Sequence, residues 1–121
     1  MTETVKIGEH EIAMRADGAT PFLFKQAFNK DLIKIIANAS EEKDFSEAGS
    51  IASELGFVMA QQAASPDPLH VDLSHGAFMK WLTQFGPLDL IYQSMDIIEV
   101  YMETQKTDSV AKKKDESQIE S

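Results

Sequence analysis

Apolar residues that recur at steps of three and four constrain this chain more than any other feature of its sequence. Only a helix places residues with that spacing on one face. The pattern extends over about 21–38, 44–63 and 87–102, and a shorter stretch covers about 74–85. The sequence therefore predicts about four helices, the second of which carries an inner stripe of Ala48, Ile51, Ala52, Leu55, Val58, Met59, Gln62 and Ala63.

Residues at the ends of these stretches are of types that begin or end helices, so they favour the helix boundaries given by the apolar pattern. Serine, threonine and aspartate accept hydrogen bonds from the free N–H groups of a first turn, whereas proline and glycine interrupt a helix. Gly49 and Gly56 lie within the second helix, where they indicate either a close approach of another helix or simple tolerance. The boundary residues are Thr20 and Pro21, the capping box Asp44 and Glu47, the stop at Pro66 and Pro68, the cap Ser74, and the break Gly86-Pro87.

A β-hairpin is predicted over residues 3–14. Val5 and Ile7 alternate with polar neighbours, and Gly8-Glu9 suits a two-residue type II′ turn. Such a turn pairs Val5 with Ile12, Ile7 with His10, and Lys6 with Glu11, which have opposite charges. Because two strands alone are marginal in water, we expect their apolar face to rest on a helix or on another copy of the chain.

The fourth helix carries two apolar lines, which make a stripe wider than one core contact needs. The sequence leaves open which line faces the core. Between the second and third helices, residues 70–73 are compatible with a short extended segment. The first line is Leu88, Ile91, Met95, Ile98 and Met102, and the second is Leu90, Ile97 and Tyr101.

These patterns predict an α+β fold that is mainly α. A single domain over residues 1–107 holds the N-terminal β-hairpin and about four helices, in line with the length of 121 residues. Residues 108–121 are polar and lack periodicity, so we expect a disordered tail there.

Composition excludes several classes of function. The chain has 11 Lys and Arg against 20 Asp and Glu, a net charge of −9. Residues 106–121 contain four lysines and four acidic residues, so residues 1–105 carry all of the net charge. An acidic surface with the single arginine Arg15 disfavours nucleic acid. Without cysteine, an apolar span or a signal-peptide pattern, we expect no disulfide and no membrane segment, and a cytoplasmic location.

No motif for phosphate binding, dinucleotide binding or nucleophilic catalysis occurs in the sequence. Two polar clusters are explained better as surface residues than as a metal site or an acid–base pair. The sequence therefore predicts no catalytic, cofactor-binding or metal-binding residue, and we expect a protein that is not an enzyme. The two clusters are His70, Asp72 and His75, and Asp96, Glu99 and Glu103.

Aromatic and methionine side chains are concentrated in the last third of the chain. They are rich in contact energy and adaptable in shape, which suits partner surfaces. Most of them are needed for the core, but the two apolar lines favour some remaining exposed for self-association or for a partner protein. The candidate residues are Trp81, Phe85, Leu88, Tyr92, Met95 and Tyr101.

Three segments resemble the tail assembly chaperones of long-tailed bacteriophages and prophages, the relatives of the lambda G-type protein. The segments are VKIGEHEIAMRADG, PFLFKQAFNKDLIKII and WLTQFGPLDLIYQSMDIIEVYMETQKT, and the likeness covers most of residues 4–107. The resemblance implies a non-enzymatic cytoplasmic factor that is absent from the mature virion. Such a factor binds the tape measure protein, keeps it soluble and helps to recruit tail tube protein.

The resemblance also implies a longer form made by programmed ribosomal frameshifting, whose extension binds tail tube protein. Lysine codons are rich in adenine, so Lys112, Lys113 and Lys114 are the candidate frameshift site. The same run is equally compatible with a basic patch in a polar tail. A different class of function is also compatible with this sequence, namely a small acidic regulatory adaptor that binds a single protein partner.

Overall fold

The computed structural model describes residues 2–39, 45–65 and 67–103. It begins with an antiparallel hairpin of β1 (Thr2–Ile7) and β2 (His10–Arg15). The register pairs Val5 with Ile12 and Lys6 with Glu11, as the turn predicted. Gly8 has a φ of +63°, the positive value that the first central residue of a type II′ turn requires. The predicted hairpin is confirmed.

The first helical stretch forms two helices, α1 (Thr20–Phe28) and α2 (Leu32–Ala39), where the sequence predicted one. Asn29 ends α1 in the left-handed conformation, with φ 56° and ψ 40°. The carboxylate of Asp31 then accepts a hydrogen bond from the Lys34 N–H at 3.2 Å, as an N-cap does. The apolar spacing continues across the break, so periodicity alone could not reveal it.

Thr20 does not cap α1, which corrects the prediction for this residue. Its buried hydroxyl accepts from the Asp17 N–H at 2.9 Å and donates to Gln62 Oε1 at 2.7 Å. Gln62 Nε2 in turn donates to Asp17 Oδ1 at 3.1 Å. This network joins the turn before α1 to the long helix described next.

Helix α3 (Phe45–Ala64) is the centre of the fold and contacts β2, α1 and two later helices. The predicted inner stripe is buried from Ile51 to Gln62, and Phe57 and Ala60 outside that stripe are buried as well. A helix covered on more than one side needs apolar residues around most of its circumference. Asp44 of the predicted capping box lies outside the described residues, and so do the side chains of Glu47 and Ala48.

Three helices follow α3 after a short 3-10 helix, Pro68–His70. They are α4 (His75–Leu82), α5 (Asp89–Tyr92) and α6, which covers the described residues 94–103. His70 thus belongs to the 3-10 helix, and the extended conformation predicted for 70–73 occurs at Val71, with φ −84° and ψ 124°. The predicted fourth helix begins later than Pro87 and is interrupted at Gln93, where α5 ends.

The two glycines of α3 lie at close helix contacts. A Cβ atom at Gly49 would come within 2.7 Å of Ile91 Cγ1 in α5, and one at Gly56 within 3.3 Å of Ile97 Cγ2 in α6. A contact at 2.7 Å requires a neighbour to move, so Gly49 is needed for the approach of α5. Of the two interpretations of these glycines, the structure supports close approach.

The serine predicted to cap the third helix does so. Ser74 Oγ accepts a hydrogen bond from the Ala77 N–H at 3.2 Å. We expect Ser74→Ala to lower the free energy of unfolding by about 1 kcal/mol, because the Ala77 N–H in the first turn of α4 loses its hydrogen-bond acceptor. Urea denaturation followed by circular dichroism measures this change. Ser74→Asp, which retains an acceptor, should stay close to the original stability, and equal losses in both variants would contradict a capping role.

Candidate interaction surface

The structure separates the two apolar lines of residues 88–102. Leu90, Ile97 and Tyr101 are buried, whereas Leu88, Met95 and Met102 are exposed. The half-buried Ile91 and Ile98 lie between these extremes. The second line therefore faces the core, and the first line faces outward at three of its five positions.

The exposed apolar residues of this region form what we call the outer line, Leu88, Tyr92, Met95 and Met102. Tyr92 is 73% exposed, Met95 68% and Leu88 50%. Met95 and Met102 lie seven positions apart and so share one side of α6, whereas Leu88 and Tyr92 precede the turn at Gln93. Single exposed apolar residues are ordinary, but several large ones on one short segment are typical of contact surfaces.

Trp81 and Phe85 are half-buried and belong to an aromatic cluster that joins α4 to the rest of the domain. Their ring centroids lie 4.9 Å apart, and Trp81 also contacts Phe57 at 5.9 Å. Phe85 meets the ring of His10 in β2 at 5.8 Å. Both residues therefore have structural contacts, and they offer only part of each ring to a partner.

Tyr101 does not belong to the predicted surface. It is only 4% exposed and is part of the core cluster. It follows Ile97 by one helical turn, so it shares the inward face of α6. Lys112, Lys113 and Lys114 lie outside the described residues.

Sequence reasoning missed exposed apolar residues on other elements. Phe22 in α1 and Ile33 in α2 are 76% and 64% exposed, and Leu69 and Met79 are exposed as well. Phe22 and Ile33 lie off the line of apolar residues that recur at steps of three and four in this stretch, and this position was the signal that could have identified them. The line is Phe24, Phe28, Leu32, Ile35, Ile36 and Ala39.

The acidic residues of α6 lie along a groove. Asp96, Glu99 and Glu103 share one of its walls, and the opposite wall is β1, including Glu3 and Lys6. The three carboxylates thus lie on one side of α6, as steps of three and four place residues on a helix. The groove has a volume of about 620 Å³.

The carboxylates near the 3-10 helix accept hydrogen bonds from backbone N–H groups two positions later. A hydrogen bond from the Leu69 N–H, followed by one with His70, holds the pKa of Asp67 below its ordinary value. The Ser74 N–H and then the Ser74 side chain lower the pKa of Asp72 in the same way. In the described part of the chain, no three His, Asp or Glu side chains are grouped so that they could hold a metal ion.

Comparison of the chain with protein-family models, with curated proteins and with solved structures finds no match. Across residues 2–39, 45–65 and 67–103, no helix combines the length and apolar character needed to cross a membrane.

Proposed function

We propose that this chain is a tail assembly chaperone of a long-tailed bacteriophage or prophage, a non-enzymatic protein of the bacterial host cytoplasm that is not part of the mature virion. It binds the tape measure protein, keeps it soluble and helps to recruit tail tube subunits. The observation that supports this proposal best is the outer line, an exposed apolar surface on a body with net negative charge. The resemblance of three segments to this family supports it independently.

The outer line suits a helical client. Methionine and tyrosine side chains adapt to varied apolar partners, and a helix binds through anchors at steps of three and four. A tape measure protein exposes apolar helical surface before the tail tube surrounds it, and that surface promotes aggregation. An acidic chaperone that covers the surface also adds charge, which keeps the complex in solution.

Many copies on one client would compensate for a small contact per copy. The outer line is short, so the affinity of a single copy is expected to be modest, whereas linked contacts along one long chain multiply the overall affinity. The chaperone could also associate with itself through the same surface, and such a homo-oligomer would likewise raise the overall affinity for the client.

The longer form is part of this proposal. A ribosome that changes frame at Lys112–Lys114 would add an extension that binds tail tube protein. The coding DNA tests this step. A homopolymeric adenine run with an overlapping downstream frame supports it, and interspersed AAG codons or the lack of such a frame contradict it.

Co-expression tests the chaperone function. An insoluble tape measure fragment should become soluble with the full chain, in a ratio of several copies per client. We expect Met95→Asp to abolish this effect while it preserves the helical circular dichroism signal, because Met95 is 68% exposed. The matched control is Gln26→Asp, which adds the same side chain at an exposed position of α1.

The outcomes are distinct. A folded Met95→Asp variant that still solubilises the client would exclude the outer line as the contact. An unfolded variant would show that Met95 belongs to the core. Binding in a one-to-one ratio would favour the regulatory adaptor. Gene position also distinguishes the chaperone from the regulatory adaptor, because a chaperone gene should lie between the tube gene and an unusually long tape measure gene.

A further inference from the structure

The groove between β1 and α6 runs beside the hairpin, in which β1 pairs with no described strand other than β2. The four consecutive residues from Glu3 to Lys6 all line it. Successive side chains of a strand point to opposite faces, so a groove beside one face would meet the side chains of alternate residues only. A groove that meets all four residues also meets the backbone of β1, as a groove along the edge of the strand does.

The register of the hairpin identifies the backbone groups at this edge. In a two-residue turn, the closing pair, Ile7 and His10, exchanges hydrogen bonds, and bonded and non-bonded pairs then alternate along the ladder. Thr4, opposite Ala13, and Lys6, opposite Glu11, therefore belong to non-bonded pairs, and their N–H and C=O groups point away from β2. Among the described residues, neither Thr4 nor Lys6 makes a backbone hydrogen bond outside the hairpin.

The charge of the groove selects its occupant. Glu3, Asp96, Glu99 and Glu103 line it and are exposed, and Lys6 is the basic residue among the lining side chains. A second copy that paired through the same edge would bring two acidic walls together, which is unfavourable. Residues 104–121 of the chain itself contain four lysines and four acidic residues, so they supply no net attraction.

We propose that this groove binds an extended, lysine- or arginine-rich segment of a partner protein, which adds to the edge of β1 as a third strand. Backbone hydrogen bonds to Thr4 and Lys6 hold the segment, and its basic side chains meet the carboxylates of α6. This inference uses a surface separate from the outer line and does not depend on the proposed chaperone function.

A peptide titration with the full chain tests the proposal. The probe is a fluorescently labelled heptapeptide of alternating lysine and threonine, and its anisotropy is measured at low ionic strength. The control peptide has the same sequence with every backbone amide methylated, so that it keeps its charge and its side chains but its backbone cannot donate hydrogen bonds. We expect the control to bind about tenfold more weakly, since two lost hydrogen bonds have about this effect.

Two proline variants separate the edges of the hairpin. Thr4→Pro removes an outward N–H of β1 without removing a bond to β2, and we expect it to weaken binding of the probe by about threefold to tenfold. Ala13→Pro makes the same change at the opposite position on β2 and should bind as the original chain does. The double variant Asp96→Asn with Glu99→Gln keeps the side-chain shapes and should weaken binding by about fivefold.

The proposal is overturned if the methylated peptide binds as tightly as the probe, or if Ala13→Pro weakens binding as much as Thr4→Pro in folded proteins. It is also overturned if the probe does not bind at all. Should a proline variant fail to fold, the double carboxylate variant and the methylated peptide still decide the outcome. Met95→Asp should bind the probe normally, so the failure of the chaperone proposal would leave this result unchanged.

Discussion

Replacing Ile97 by aspartate is expected to unfold the domain. Ile97 has no exposed surface and lies against Gly56 at the contact between α6 and α3. A carboxylate buried there without a partner costs several kcal/mol, a large share of the roughly 5–15 kcal/mol that stabilises a typical domain. Circular dichroism and thermal denaturation should show loss of helical signal or a large fall in the midpoint.

The matched control for this variant is Met95→Asp, two positions away in the same helix. Because Met95 is exposed, this substitution should change the free energy of unfolding by about 0.5 kcal/mol or less. Similar destabilisation by both variants would mean that the two apolar lines are not divided into a buried and an exposed line.

Phe57→Ala should produce the second largest effect. We expect a loss of about 3–5 kcal/mol in the free energy of unfolding, because the ring is fully buried and its removal leaves a cavity. The ring also contacts Phe78 and Trp81 of α4, with centroids at 5.2 and 5.9 Å, so docking of α4 should weaken. Urea denaturation measures the loss.

The corresponding control for Phe57 is Phe22→Ala in α1. Phe22 is exposed, so its truncation should change the unfolding free energy by about 0.5 kcal/mol or less. A small effect of Phe57→Ala, comparable with that of the control, would contradict the central position of α3 between the hairpin and α4.

The hairpin could be predicted in detail because its determinants are local. Alternation, a Gly-X turn and the opposite charges of Lys6 and Glu11 all specify one register, and the structure has that register. The cap at Ser74 was predictable for the same reason, since an N-cap depends on residues three positions apart.

The break between α1 and α2 could not be predicted from apolar spacing, which is set by the core and is the same for one helix or two. The residues that indicate the break are Asn29 and Asp31. Asparagine readily adopts the left-handed conformation that ends a helix, and aspartate accepts a hydrogen bond from the first turn of the next helix. At Thr20 the local sequence predicted a helix cap that the structure does not have. The hydroxyl group instead donates a hydrogen bond to Gln62, a residue distant in the sequence.

Only part of the candidate surface could be predicted. Periodicity gave the two apolar lines, but the packing of α5 and α6 on α3 decides that Tyr101 is buried and Tyr92 exposed. The acidic groove could not be predicted, because one of its walls is β1 and the other is α6, roughly ninety residues later in the chain. Which two distant elements lie side by side depends on the tertiary structure, and the spacing of residues within one element carries no information about it.

The division between buried and exposed methionines gives the domain a selective sensitivity to oxidants. Met14 and Met59 have no exposed surface, whereas Met79, Met95 and Met102 are accessible. Oxidation to the sulfoxide makes a methionine polar, and accessible sulfur atoms react first. Mild peroxide would therefore convert the apolar exterior of α4 and α6 into a polar one while the interior of the domain kept its thioethers.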